Sequence, residues 1–224
     1  MPEKSTIRLP NSKQRITILG RTGSGKTVAA LWHLSNANFD RKPWIVIDFK
    51  TDENINTIEK ARYIDVDEVP KHAGIYIMQP MMDQMNILAN TLEKIRIKEN
   101  VGIYIDEGYM MGEDTDVESK FTALLTQGRS KHIPMIILAQ RPSWISRFVF
   151  SESDFFQIFH LQDDRDVKTI ASFLPKNAYY RMPDFHSVYY DVGRNRVNFL
   201  KPVPRESEIL EKIDDRLSKQ RKYI

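Results

Sequence analysis

Between an apolar run, Ile16-Thr-Ile-Leu19, and a run suited to a helix, Val28-Ala-Ala-Leu31, the chain reads Gly20-Arg-Thr-Gly-Ser-Gly-Lys-Thr27. Glycines at 20, 23 and 25 are expected to take positive φ and curl the backbone tightly, so that successive N–H groups point inward as a nest for phosphate oxygens. A helix opening near Lys26 and Thr27 adds its partial positive end to that nest. Strand, glycine-rich turn and helix in this order make a phosphate-binding loop rather than a plain glycine turn beside a lysine. The ATP-binding set is then Gly20, Arg21, Thr22, Gly23, Ser24, Gly25, Lys26 and Thr27. Lys26 supplies a point charge for the β- and γ-phosphates, and the Thr27 hydroxyl suits Mg²⁺.

A phosphate loop needs acids from elsewhere, and the chain offers them at the ends of apolar runs. Val101-Gly-Ile-Tyr-Ile105 ends in Asp106-Glu107, and Trp44-Ile-Val-Ile47 ends in Asp48-Phe49-Lys50. Beside a phosphate loop, one carboxylate holds the Mg²⁺ shell and the other polarises the attacking water. Asp106 is assigned to Mg²⁺ and Glu107 to the general base. Asp48 or Lys50 approaches the ligand crevice, or else forms a solvated turn. Pro134-Met-Ile-Ile-Leu138 leads into Ala139-Gln140, where Gln140 is placed to contact the γ-phosphate or orient water.

The rest of the chain is consistent with an α/β fold having a mostly parallel sheet and helices on both faces. Helices are expected over 27–38, 55–60, 85–100, 117–129 and 163–173, with further strands at 63–66, 75–78 and 155–159. Ser187–Asp191 and Arg196–Leu200 read as a β-hairpin. From Ser207 an amphipathic helix carries Ile209, Leu210, Ile213 and Leu217 on one face, with a Ser-Glu start as its cap. The basic Lys219–Lys222 tail reads as a solvated helix end, and the polar residues 1–13 as a frayed terminus. Aromatics around Arg147, from Trp144 to Phe150, read as core or subunit interface rather than a nucleic-acid clamp. The 224 residues are expected to form one domain, with a core at about 14–175 and an elaboration at 176–224.

Composition narrows the function classes. The chain has no cysteine, which excludes disulfides, thiolate metal sites and thiol nucleophiles. Its five histidines, at 33, 72, 132, 160 and 186, are dispersed. The net charge of +3 permits a nucleic-acid partner without demanding one. No run approaches the ~18 apolar residues of a membrane span, so a soluble protein is expected.

Taken together, the loop Gly20–Thr27, Ile47-Asp-Phe-Lys50, Ile105-Asp-Glu107 and the run from Gly128 to Pro142 resemble the FtsK/HerA superfamily of DNA-pumping P-loop ATPases. The compact length is most similar to the genome-packaging ATPases of tailless icosahedral viruses with internal membranes. This resemblance implies a RecA-like core in which the glutamine-bearing strand lies between the acid-bearing strand and the phosphate-loop strand. It implies a homo-oligomeric ring, usually a hexamer, that encircles DNA, contacts its phosphates without regard to sequence and docks on a capsid-vertex or viral membrane protein. The setting is the host cytoplasm or the virion. Arg129 matches the arginine that reaches a neighbour's nucleotide in this superfamily, with Arg141 and Arg147 as rivals. Two other readings stay open: a nucleotide-gated assembly factor, and a conjugation or phage-extrusion ATPase.

Overall fold

A computed structural model describes residues 7–220 except 177, 178, 180 and 181. Its strands are β1 Arg15–Leu19, β2 Pro43–Ile47, β3 Arg62–Tyr63, β4 Gly74–Met78, β5 Gly102–Ile105, β6 Met135–Ala139, β7 Phe155–Ile158, β8 Ser187–Asp191 and β9 Arg196–Leu200. The helices are α1 Lys26–Ser35, α2 Glu53–Asn56, α3 Met85–Lys98, α4 Thr115–Gln127, α5 Arg147–Glu152, α6 Asp164–Phe173 and α7 Glu206–Gln220. All nine strands join one sheet in the order β3-β4-β2-β5-β6-β1-β7-β8-β9, parallel throughout until β8 and β9 turn antiparallel. The expected arrangement holds: β6, which leads into Gln140, lies between β5 and β1.

The core forms two layers because alternate residues of each strand face opposite sides. Leu19, Ile45, Ile47, Ile103, Ile105 and Ile137 meet Leu88, Leu92, Phe121 and Leu124 of α3 and α4 on one face. Ile16, Ile18, Trp44, Val46, Tyr104 and Leu138 meet Ala30 and Leu34 of α1 on the other, with Ile209, Ile213 and Leu217 of α7 in the same cluster. Both faces of the central strands are covered, which is why they read as unbroken apolar runs.

Several boundaries move for local reasons. α3 stops at Lys98 because Glu99 and Asn100 take φ of 60° and 54°, and Ile97 is left exposed. α4 starts early, since the Asp114 carboxylate accepts the N–H groups of Asp116 and Val117, each at 3.0 Å, and ends at Gln127. Arg129 therefore sits beyond the helix instead of on it. α2 occupies Glu53–Asn56, capped by Asp52, rather than 55–60, and the strand expected over 63–66 shrinks to an edge pair, Arg62–Tyr63. α7 begins at Glu206, with Ile209 N–H donating to the Arg205 carbonyl, so Ser207 lies inside the first turn and does not precede the helix.

The N-terminal reading is corrected too. Arg8 grips Asp191 through Nε at 3.0 Å and Nη2 at 2.8 Å, lies over the Phe155 ring, and its carbonyl accepts from the Tyr189 hydroxyl. Arg8 thus ties this segment to the hairpin, so the described part of the N-terminal arm is not frayed at that point. Residues 1–6 and the Arg221-Lys222 part of the basic tail lie outside the described residues.

Candidate active site

Strand register brings the predicted residues to one rim. Leu19 pairs with Ala139, Ile47 with Ile105, and Ile105 with Ile137, all in parallel. The residues that follow these strand ends, Gly20, Asp48, Asp106, Glu107 and Gln140, therefore emerge together at the carboxyl edge, where open α/β sheets bind ligands. A cleft there is lined by Thr22, Lys26, Thr27, Asp106, Glu107 and Gln140, among others.

Within the loop, Gly23 and Gly25 take φ of +74° and +93°, conformations that favour glycine. Gly20 differs from expectation. It is absent from the positive-φ residues and is needed for room: a Cβ there would come within 2.7 Å of both Phe159 Cβ and Ser24 Oγ. Gly25 caps α1 without a side-chain acceptor on the first-turn amides, which leaves them facing the cleft. Arg21 lines an adjoining cleft with Arg141, Asp163 and Asp166 instead of the loop's own. Lys26 is buried, and that burial lowers its pKa against the opposing pull of Glu107 and Asp106.

A chain of side chains crosses the cleft. The Thr22 hydroxyl donates to Gln140 Oε1 at 2.7 Å, and Gln140 Nε2 donates to Glu107 Oε1 at 2.6 Å. Lys50 Nζ pairs with the same Glu107 oxygen. Glu107 Oε2 is buried without a partner among the described residues. Beside it, Asp106 is pushed up to about 7, first by burial and then by the charges of Glu107, Asp52 and Asp48. Asp48 is buried too, accepting from the Asp52 amide and from Gln79 Nε2 at 3.1 Å, so the Asp48–Lys50 segment is part of the site and not a solvated turn. Sequence reasoning had no signal for Thr22 as the partner of Gln140, or for Phe185, which enters the cleft from the loop before β8.

The arginines lie elsewhere. Arg129 is at the opposite rim, where the strands begin, exposed and paired with Asp154 at 2.6 Å. Arg141 binds Asp163 and Asp166, both at 2.7 Å, and lies over the Trp144 ring. Arg147 lies over Phe173. Trp144 and Phe148 are exposed, whereas Val149 and Phe150 are buried. Among the described residues, no helix is long and apolar enough to cross a membrane.

No protein-family model matches the chain. It is 47% identical over 228 residues to the DNA packaging ATPase P9 of Enterobacteria phage PRD1, covering 97% of this chain and 98% of that relative. Among solved structures, it resembles the genome packaging NTPase B204 of Sulfolobus turreted icosahedral virus 2 in complex with AMPPCP. That match has a TM-score of 0.64 at 15% identity, over 87% of this chain and all of the other. EssC (ATPases 2 and 3) of Geobacillus thermodenitrificans matches with a TM-score of 0.65 at 15% identity, over 94% of this chain and 44% of the other. The structural likenesses speak for a shared P-loop ATPase fold, and the near full-length identity for descent: this chain belongs to the family of viral genome-packaging ATPases that includes P9 of phage PRD1.

Proposed function

We propose that this protein is an Mg²⁺-dependent ATPase motor that moves DNA into a preformed viral capsid, with residues 1–224 acting as one ATPase domain. The observation that carries the reading is the convergence on one rim of the phosphate loop, Asp106-Glu107 and Gln140. Support for the DNA substrate comes from P9 of phage PRD1, which is named as a DNA packaging ATPase.

In this mechanism Lys26 and the loop amides hold the β- and γ-phosphates. The Thr27 hydroxyl and the Asp106 carboxylate would hold Mg²⁺, and the site fits it: Glu107 Oε2 is buried without a partner among the described residues, and Asp106 is pushed up to about 7 by burial and then by the neighbouring acids, whose charge a divalent cation relieves. When bound, the ion neutralises charge on the phosphates during transfer. Glu107 takes the proton of the attacking water. In the structure, Gln140 and Lys50 both donate to its Oε1 and occupy that oxygen, so for Oε1 to take the proton these contacts must loosen. Gln140, held by Thr22 of the loop, links that loosening to the arrival of the γ-phosphate.

Arg129 is far from its own cleft and exposed, a position suited to reaching the nucleotide of a neighbour in a ring, of which a hexamer is the expected form. The ring surrounds DNA, contacts its phosphates without reading sequence, and docks at a capsid vertex or viral membrane protein, in the host cytoplasm or the virion. ATP hydrolysis measured with and without double-stranded DNA, alongside the mass of the assembled species, tests the proposal. DNA-stimulated turnover by a ring is expected; turnover by a monomer that ignores DNA would overturn it.

A further inference from the structure

A strained aromatic stands at the mouth of the cleft. Phe185, in the turn before β8, has φ of +61°, a conformation that L-residues with large side chains rarely adopt. Its ring lies over the phosphate loop, with Cδ1 3.1 Å from where a Cβ on Gly25 would stand. Yet the residue is 56% exposed, so burial in the core does not account for the strained turn.

The cleft's chemistry says what the open face of the ring is for. Lys50, Asp106, Glu107 and Gln140 crowd the side where the reacting phosphate must lie, and the base of a nucleotide has to leave in the other direction. Among the described lining residues other than glycine, Val28 and Phe185 alone are apolar. We propose that Phe185 is the platform on which the base of the bound nucleoside triphosphate stacks, with Val28 as the neighbouring apolar surface. An aromatic side chain stacks on any base, and more strongly on a purine. This rests on the phosphate-loop reading above.

Calorimetry with ATP and with inorganic tripolyphosphate, both with Mg²⁺, separates the two. Wild-type protein is expected to bind ATP more tightly than tripolyphosphate. Phe185→Ala should weaken ATP binding roughly 10- to 100-fold and leave tripolyphosphate unchanged, while Phe185→Trp keeps the preference. Phe185→Gly, which the positive φ favours, should repeat the alanine result in a chain that folds at least as well. Equal losses for both ligands would make Phe185 a mere prop of the loop and overturn the proposal, as would no loss for either. Wild-type protein that binds neither ligand would overturn the phosphate-loop reading itself, and this one with it.

Discussion

Where the parallel strands end, the buried acids gather: Asp48, Asp106 and Glu107. Near where they begin, buried bases prevail: Arg15, Lys42 and His33, although buried Lys26 sits among the acids of the first rim and buried Asp191, paired with Arg8, lies at the second. Helix direction accounts for the sorting. The helices run back against the strands, so a positive end such as that of α1 at Lys26 faces the first rim, and carbonyl ends such as that at Ser35 face the second. The rims differ in how far the chain answers its own charges. At the second, Lys42 Nζ donates to the carbonyls of Ser12 at 3.2 Å and His132 at 2.7 Å, Arg15 Nη1 to the carbonyl of Glu152 at 2.8 Å, and His33 meets Gln157 at 2.8 Å. Of the polar atoms of these three side chains, Arg15 Nε and Nη2 are buried without a partner among the described residues. At the first rim the deficit is shared by a cluster of acids facing a cleft. One rim is closed by its own backbone; the other is completed from outside.

On that contrast, substitutions at the first rim cost turnover without lowering stability. Glu107→Gln should lower ATP turnover by up to about 10⁴-fold, still bind nucleotide, and melt no lower than the wild type, since a crowded buried charge has been removed. Hydrolysis at the wild-type rate would remove Glu107 from the role of base. Arg129 is where the contrast can break. Although it lies on the closed rim, Arg129→Ala is expected to reduce turnover about 10³-fold in the assembled protein, and mixing it with Lys26→Ala subunits should restore part of the activity. If no mixing ratio gives rescue, the Arg129–Asp154 pair belongs with the structural contacts of its rim.

The sequence carried the first rim better than the second, for a physical reason. The phosphate loop is specified by neighbours in the chain, and an apolar run ending in Asp106-Glu107 marks a strand tip by local pattern alone. The hairpin, Ser187–Asp191 and Arg196–Leu200, formed with the expected bounds because alternation and a turn are local as well. What stayed illegible was pairing at a distance. Lys50 with Glu107, Thr22 with Gln140 and Arg8 with Asp191 are contacts between residues far apart in the chain, and no periodicity encodes them. Local signals also lost where tertiary contacts intervened: the Ser-Glu start of α7 gave way to a helix begun at Glu206, and Gly20 serves close packing against Phe159 rather than positive φ.

The smallest effects test the contrast through pH, in chelator and without nucleotide. Asp106 is raised from 3.8 to about 7, so between those values the unfolded chain has lost a proton that the folded chain keeps. Stability from this group falls as pH rises, by about 4 kcal/mol in all. His33 is lowered from 6.5 to about 4 by burial, with the bond to Gln157 opposing. Between those values the unfolded chain holds a proton that the folded chain lacks, so stability falls as pH drops, by about 3 kcal/mol in all. Over pH 4 to 6.5 the two largely cancel, and single variants uncover them. Relative to wild type, Asp106→Asn should gain stability steadily up to pH 7 in denaturant titrations. His33→Gln should gain about 2 kcal/mol at pH 5 and nothing from this source at pH 7. A His33→Gln curve parallel to wild type between pH 4 and 7 would mean that the imidazole is not held neutral, and that the second rim is less closed than its backbone contacts make it.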